Sequence, residues 1–288
     1  MSRAQQEPAG TEPRAASAGV RAIALIPARL ASTRLARKML LQETGTPLVV
    51  HTARSVRAAG VFARVVVAVD DEEVASAVRA HGFEAIATRV DHPSGTDRVK
   101  EAWDRLAAAG ERADVLVGVQ GDEPDLDGAD LARLVAAFAD LDVSMATLCV
   151  PLANPSEFAA ASVVKVVRDA HGDALYFSRA PIPAVGHTRV EGDDPVRRHV
   201  GVYAYRPDAL ARFTALPRGA LEQRESLEQL RWLEAGRKMR VVDARRAPRG
   251  IDTLEDYRDF VRRLARGAES GEGRADGARG GLTEARAG

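Results

Sequence analysis

Ile23-Ala-Leu-Ile-Pro-Ala-Arg-Leu-Ala-Ser-Thr-Arg-Leu-Ala-Arg-Lys38 decides how the rest of the chain is read. Its first four residues are apolar and run into Pro27, which has no N–H for a sheet ladder, so the segment reads as a buried strand that stops there. The chain then turns basic, with Arg29, Arg34, Arg37 and Lys38 interspersed with Ser32 and Thr33. Hydroxyls, backbone N–H groups and cations in a loop at the carboxyl end of a parallel strand suit a polyphosphate. Taken alone, such a charge run is equally a solvated loop.

Outward from that stretch, strand and helix signals alternate. The spacing predicts strands over Arg21–Pro27, Arg64–Val69, Glu84–Thr88, Asp114–Val119 and Val143–Val150. Helices are expected over Pro47–Ala59, Glu72–Ala80, Arg98–Ala109 and Gly128–Ala139. Strands separated by helices of this length predict an α/β fold, a mostly parallel central sheet with helices on both faces. Ligands in such sheets sit beyond the carboxyl ends of the strands. Three loops meet there: Ala28–Lys38, Arg89–Asp97 and Gln120–Asp127. The second half reads as a hairpin, Ser162–Arg168 with Asp173–Phe177, a strand Val196–Arg206, and a long helix Ala220–Glu234. A short strand Lys238–Val242 and a last helix Leu254–Ala265 follow. We therefore expect an arm at residues 1–20 and one folded domain over 21–266 with an insertion at about 151–206. Residues 267–288 read as a tail, both ends being too poor in apolar residues to order.

Forty-one basic and forty-one acidic residues cancel, so no net field recruits nucleic acid or a membrane surface. No apolar run of membrane-spanning length occurs, the first twenty residues lack a secretory h-region, and the one cysteine, Cys149, has no partner within the chain. These features predict a cytoplasmic protein. Of the forty-one basic residues only Lys38, Lys100, Lys165 and Lys238 are lysines. A lysine kept where this chain otherwise uses arginine hints at a need for a compact ammonium.

Two acidic motifs carry chemistry. Gln120-Gly-Asp-Glu-Pro follows a strand, and Asp122 within it suits Mg²⁺, which takes a few carboxylate oxygens and leaves the rest to phosphates and water. Asp252, in Gly250-Ile-Asp-Thr, has the same potential. Either aspartate is as readily a helix cap.

These motifs, with Ile26-Pro-Ala-Arg, Ala31-Ser-Thr-Arg-Leu, Asp91-His-Pro-Ser-Gly-Thr-Asp-Arg, Val164-Lys-Val-Val, Ala174-Leu-Tyr-Phe-Ser-Arg-Ala-Pro-Ile-Pro, Arg198-His-Val-Gly-Val-Tyr and Leu221-Glu-Gln-Arg-Glu-Ser-Leu-Glu-Gln-Leu-Arg, resemble the 3-deoxy-manno-octulosonate (Kdo) cytidylyltransferases over about residues 21–265. The resemblance implies a nucleotidyltransferase-type α/β fold. It also implies transfer of CMP from CTP to the anomeric hydroxyl of Kdo, releasing pyrophosphate, for lipopolysaccharide biosynthesis. Carried over by position, Arg29, Ser32, Lys38, Ser94, Gly95 and Gln120 bind CTP, with Ser94 and Gly95 lining the cytosine pocket. Asp122 and Asp252 hold Mg²⁺ and, with Lys38, are catalytic. Gln120, Arg179, His199, Tyr203, Glu228 and Gln229 surround the sugar acid, and the family suggests a homodimer. A related acceptor, 8-amino-Kdo or sialic acid, and a catalytically weak sugar-nucleotide sensor are the alternatives.

The sequence departs from the family pattern twice. Ala36-Arg37 stands for Pro-Gly before Lys38, and Asp125 stands where an apolar residue is usual. Arg37 is expected to add a cation at the triphosphate, the alternative being a strained residue where the backbone needs a positive φ, and Asp125 to add a carboxylate near the metal.

Overall fold

A computed structural model describes residues 19–32, 34–184 and 195–276, the last ten as backbone only. The expected arm at residues 1–20 lies almost wholly outside the described residues. In chain order the elements are β1 (Ala22–Ala28), α1 (Leu48–Ala58), β2 (Phe62–Val69), α2 (Glu72–Ala80), β3 (Glu84–Ala87), α3 (Gly95–Ala108) and β4 (Val115–Gly118). Then come α4 (Gly128–Ala136), β5 (Met145–Pro151), α5 (Pro155–Ala159), β6 (Lys165–Arg168), β7 (Ala174–Ser178) and β8 (Val196–Tyr205). The chain closes with α6 (Pro207–Ala215), α7 (Ala220–Glu225), α8 (Leu230–Glu234), β9 (Arg240–Asp243) and α9 (Leu254–Asp276).

The chain forms two compact units. Of the described residues, one unit gathers those within Ile23–Glu111, Gly118–Leu131 and 245–276; the other holds those within Arg112–Val117 and Ala132–Ala244, together with residues 19–22. In the first, the strand order is β3-β2-β1, and β2 pairs β3 in parallel with Val66 opposite Glu84. Every residue of β1 is buried, as its unbroken apolar run demands. Helix α1 seals the strands with Leu48, Val49, Val50, Ala53 and Val56. Leu48 also packs with Ile251, Tyr257 and Phe260, against which Leu35 and Leu41 lie. Burying Ile251 contributes about 2–3 kcal/mol and fixes the loop in which Asp252 stands.

The second unit has the order β4-β8-β5-β9, with β6 joining β8 and β7 joining β6. Strand β9 runs parallel to β5, whereas β8 is antiparallel to β5, and β6 is antiparallel to both β7 and β8. The parallel pairing predicted from strand–helix alternation is thus met in both units. The antiparallel strands fall in or beside the hairpin-rich stretch.

Several boundaries move for identifiable reasons. Helix α3 begins three residues before the expected start because Ser94 caps it, its Oγ accepting the Asp97 N–H at 3.2 Å. The hairpin's first strand starts at Lys165, since a turn over Ala160–Val163 occupies the residues before it. The long helix expected over Ala220–Glu234 is two helices: Ser226 adopts φ 53°, a left-handed conformation that ends α7. Helices α5 and α6 were not expected. Each opens on a proline at its first turn, and Asn154 caps α5. Helix α9 runs on to Asp276 rather than ending near Ala265.

Candidate functional site

In the first unit, the loop after β1 leads into a 3-10 turn, Lys38–Leu40, that carries Lys38 inward until it is 7% exposed. The ammonium donates to Asp122 Oδ2 at 2.5 Å and to the Ile251 carbonyl at 2.8 Å, and lies 3.5 Å from Asp252 Oδ1. Arg34 adds a second cation, 3.0 Å from the same Asp252 oxygen. The Ile251 N–H donates to the Asp122 carbonyl at 2.9 Å, which holds the two aspartate loops together. Sequence motifs 130 residues apart therefore share one cation.

Neither aspartate serves as a helix cap. Asp127 does that work for α4, its Oδ1 accepting the Ala129 N–H at 2.8 Å. At α9, Asp256 Oδ2 accepts the N–H groups of Asp252 and Thr253 and the Thr253 hydroxyl, while Thr253 Oγ1 accepts the Asp256 N–H. Those bonds, the Thr253 hydroxyl first, hold the Asp256 carboxyl below its ordinary range. Next to Asp122, burial pushes Glu123 up to about 8, and the charges of Asp122 and Asp252 add to the effect.

Beside Lys38 opens a cavity of about 220 Å³, lined by Arg29, Ser32, Lys38, Ser94, Gly95, Gln120 and Asp122, seven residues expected at this site. Arg29 is exposed, and Ser94 and Gly95 stand at the N-terminus of α3, where the helix dipole favours an anion. A Cβ on Gly95 would lie 3.4 Å from the Gln120 amide and from Pro27, so the absent side chain keeps the cavity open. Pro27, Met39, His92 and Arg98 also line it, and sequence reasoning missed them. Arg98 is 3% exposed and donates to Thr88 Oγ1 at 2.6 Å, the Arg89 carbonyl at 3.0 Å and Asp70 Oδ2 at 3.0 Å. Burial pulls its guanidinium below the usual arginine range. Asp70 Oδ1 in turn accepts the Leu30 N–H at 2.9 Å, which ties the loop after β1 to α3.

The second unit holds five of the six residues expected around a sugar acid; Gln120 belongs to the first. His199 and Tyr203 lie on β8 with ring centroids 5.5 Å apart. Strand β8 bulges here: Thr147 pairs with Tyr203 and Leu148 with Val200, so Cys149 meets His199. Residues four apart on a strand share a face, and the two extra residues at the bulge, Gly201 and Val202, bring His199 and Tyr203 opposite β5 residues only two apart. Thr147 Oγ1 has one proton and two carbonyl acceptors, Val200 and Val202, so it accepts from His199 Nε2 at 2.9 Å. That assignment leaves Nδ1 as the ring's acceptor. Desolvation drops the His199 pKa to about 3, and the ring stays neutral. Arg179 donates from Nε to the Glu225 carbonyl at 2.8 Å, and from its terminal nitrogens to Ala161 O at 3.2 Å and Ser226 O at 3.4 Å. Glu228 and Gln229 stand in the break between α7 and α8; Gln229 is 2% exposed and its Nε2 has no hydrogen-bond partner among the described residues.

Residues 23–239 match the family model described as cytidylyltransferase. The chain belongs to the cytidylyltransferase family. Among curated members, the 3-deoxy-manno-octulosonate cytidylyltransferase of Mesorhizobium japonicum is 47% identical over 81% of this chain and 94% of its own length. That of Nitrobacter winogradskyi is 44% identical over 88% of this chain and 97% of its own. Among solved structures, a CMP:2-keto-3-deoxy-manno-octonic acid synthetase in complex with CTP superposes with a TM-score of 0.78 at 39% identity, covering 85% of this chain and 99% of that one. A 4-diphosphocytidyl-2C-methyl-D-erythritol synthase from Anaerococcus prevotii, 12% identical with a TM-score of 0.57 over 86% of this chain and 99% of that one, shares the fold.

Both departures of this cytidylyltransferase from the family pattern differ from expectation. Arg37 does not line the cavity. Its backbone is left-handed, φ 53°, and its guanidinium pairs with Glu73 at the start of α2. Position 37 demands the conformation that glycine adopts without cost, and the arginine side chain is drawn off to a carboxylate. Asp125 pairs with Arg263 of α9, so its charge is taken up in fastening that helix.

Proposed function

We propose that this chain transfers CMP from CTP to the anomeric hydroxyl of 3-deoxy-manno-octulosonate, releasing pyrophosphate, as a Mg²⁺-dependent cytoplasmic homodimer that supplies lipopolysaccharide biosynthesis. The observation that carries the chemistry is the Lys38 ammonium shared by Asp122 and Asp252 at the edge of the cavity. Similarity over 94% and 97% of the length of two named Kdo cytidylyltransferases supports the choice of acceptor.

In-line attack at the α-phosphorus needs little covalent help from protein; it needs positioning and neutralisation of developing charge. Arg29, Ser32 and Lys38 supply cations and a hydroxyl for the triphosphate. The capped start of α3 presents Ser94 and Gly95 to the base. Arg179 has five N–H donors, three of them used on carbonyls, which leaves donors for the acceptor's carboxylate. His199, neutral, offers a hydrogen bond without a charge.

Among the described residues no group of three or more His, Cys, Asp or Glu side chains converges on one point. The pair Asp122 and Asp252 does converge on one cation, and two hard carboxylates fit Mg²⁺, which completes its shell with phosphate oxygens and water. Those two residues would hold it, and Mg²⁺ there would polarise the α-phosphate and acidify the attacking hydroxyl. Among the described residues no helix is long and apolar enough to cross a membrane.

A substrate panel tests the reading. CTP with Kdo, 8-amino-Kdo or sialic acid, scored by pyrophosphate release, should give turnover with Kdo at the highest kcat/KM. A higher value with another acceptor reassigns the sugar, and no turnover with any of them points to a sensor.

A further inference from the structure

Lys165, one of only four lysines, sits in the motif Val164-Lys-Val-Val and is 0% exposed. Its ammonium has three N–H donors, and each meets a backbone carbonyl: Ala160 at 2.8 Å, Val163 at 2.7 Å and Arg179 at 2.6 Å. A planar guanidinium could not direct three bonds around one point, which explains a lysine in a chain that otherwise uses arginine. Glu225 grips the other side of the same residue. Its Oε2 accepts the Arg179 N–H at 2.9 Å and its Oε1 accepts the Ser178 hydroxyl at 2.6 Å. The Arg179 main chain is thus held from both sides by charges of opposite sign.

The same two residues govern the Arg179 side chain. Lys165 pins the Ala160–Val163 turn, and that turn presents the Ala161 carbonyl to the Arg179 guanidinium. Glu225 contributes the carbonyl that takes Arg179 Nε, and Ser226, in its left-handed conformation, the next one. Three carbonyls therefore fix the plane of the guanidinium, and the turn that bears one of them is built around Lys165.

We propose that Lys165 and Glu225 are positioning residues that set the Arg179 fork for the carboxylate of the acceptor sugar acid. The inference rests on the reading of Arg179 as that carboxylate's ligand. A fork held from behind loses little conformational freedom on binding, so the frame acts on acceptor affinity. It leaves CTP affinity alone, because neither residue lines the nucleotide cavity. A purely structural role would lower the active fraction and leave both KM values where they are.

The test is steady-state kinetics with CTP and Kdo on Glu225→Gln, Lys165→Met, Arg179→Lys and the double variant Lys165→Met/Arg179→Lys. Glu225→Gln and Lys165→Met should each raise the KM for Kdo by about fivefold or more and leave the KM for CTP within about twofold. On the Arg179→Lys background, Lys165→Met should add little, because both act through one fork. Where Lys165→Met does not fold, Glu225→Gln decides alone, since it keeps shape and one acceptor oxygen. If Arg179→Lys leaves the KM for Kdo unchanged, the assignment of Arg179 falls. If Arg179→Lys raises it and neither Glu225→Gln nor Lys165→Met does, the positioning role is overturned and the assignment stands.

Discussion

Thr253 and Asp256 cap helix α9 reciprocally, and their bond releases Asp252 for the cation. Thr253 Oγ1 accepts the Asp256 N–H at 3.2 Å and donates to Asp256 Oδ2 at 2.7 Å. Of two aspartates four residues apart, one holds the helix end and the other faces Lys38 and Arg34.

That division separates two kinds of substitution. Asp122→Asn and Asp252→Asn should each cut kcat by about a hundredfold or more at saturating Mg²⁺, with circular dichroism unchanged. Thr253→Ala should cost about 1 kcal/mol of stability, a few degrees of Tm, and keep most of the turnover. Wild-type kcat in either asparagine variant removes the metal assignment.

Arg37→Gly reverses a natural reading of the sequence. A cation next to Lys38 suggests triphosphate binding, yet the side chain pairs with Glu73, and both partners are more than half exposed. Such a pair is worth about 0–1 kcal/mol, and glycine relieves about 1 kcal/mol of left-handed strain. The variant should show an unchanged or lower KM for CTP and a Tm equal to or slightly above wild type. A KM that rises at low salt and recovers at high salt would put Arg37 on the phosphates.

Asp125→Ala should leave the Mg²⁺ concentration for half-maximal activity unchanged, because Asp125 is engaged by Arg263. The pair is partly exposed, so its loss should lower stability by no more than about 1 kcal/mol. A shift in the Mg²⁺ titration would return Asp125 to the metal's surroundings.

His199 makes stability depend on pH. Its pKa falls from 6.5 to about 3 on folding, so the unfolded chain binds a proton that the folded chain refuses. Stability is full above pH 6.5 and declines as pH falls toward 3, by at most about 1.4 kcal/mol per pH unit from this residue. Urea unfolding at pH 7 and pH 5 should therefore show a smaller drop in His199→Asn than in wild type. Equal drops in the two proteins would mean that His199 titrates normally.

What the sequence shows and what it hides follows from the kind of interaction. Strand β1 was legible because a buried parallel strand must be apolar throughout and Pro27 ends it. The pairing of Asp122 with Asp252 through Lys38 was legible only by resemblance, since no local rule joins residues so far apart. The break at Ser226 left no trace: serine carries no left-handed preference, and the carbonyls released there are taken by Arg179, distant in sequence. Arg98 with Asp70 was missed for the same reason, a buried ion pair between a helix and a loop of ordinary composition. For Lys165 the signal was present in composition, as a rare lysine among arginines, and only the three carbonyls give it meaning.

Gly121 carries a longer consequence. A Cβ there would lie 2.9 Å from Met39 Sδ and 3.1 Å from the Pro27 carbonyl, and its own carbonyl accepts the Thr52 hydroxyl at 2.9 Å. The turn bearing Asp122 is clamped by the strand end, by the residue after Lys38 and by α1, so no substitution at that point is silent. Around Arg179 and His199 the frame is of another kind: a strand bulge, and a break between helices closed by the buried Glu222–Arg231 pair and by the Leu227 N–H on the Glu222 carbonyl. A saturation library over the turn bearing Asp122 should therefore return glycine alone at position 121.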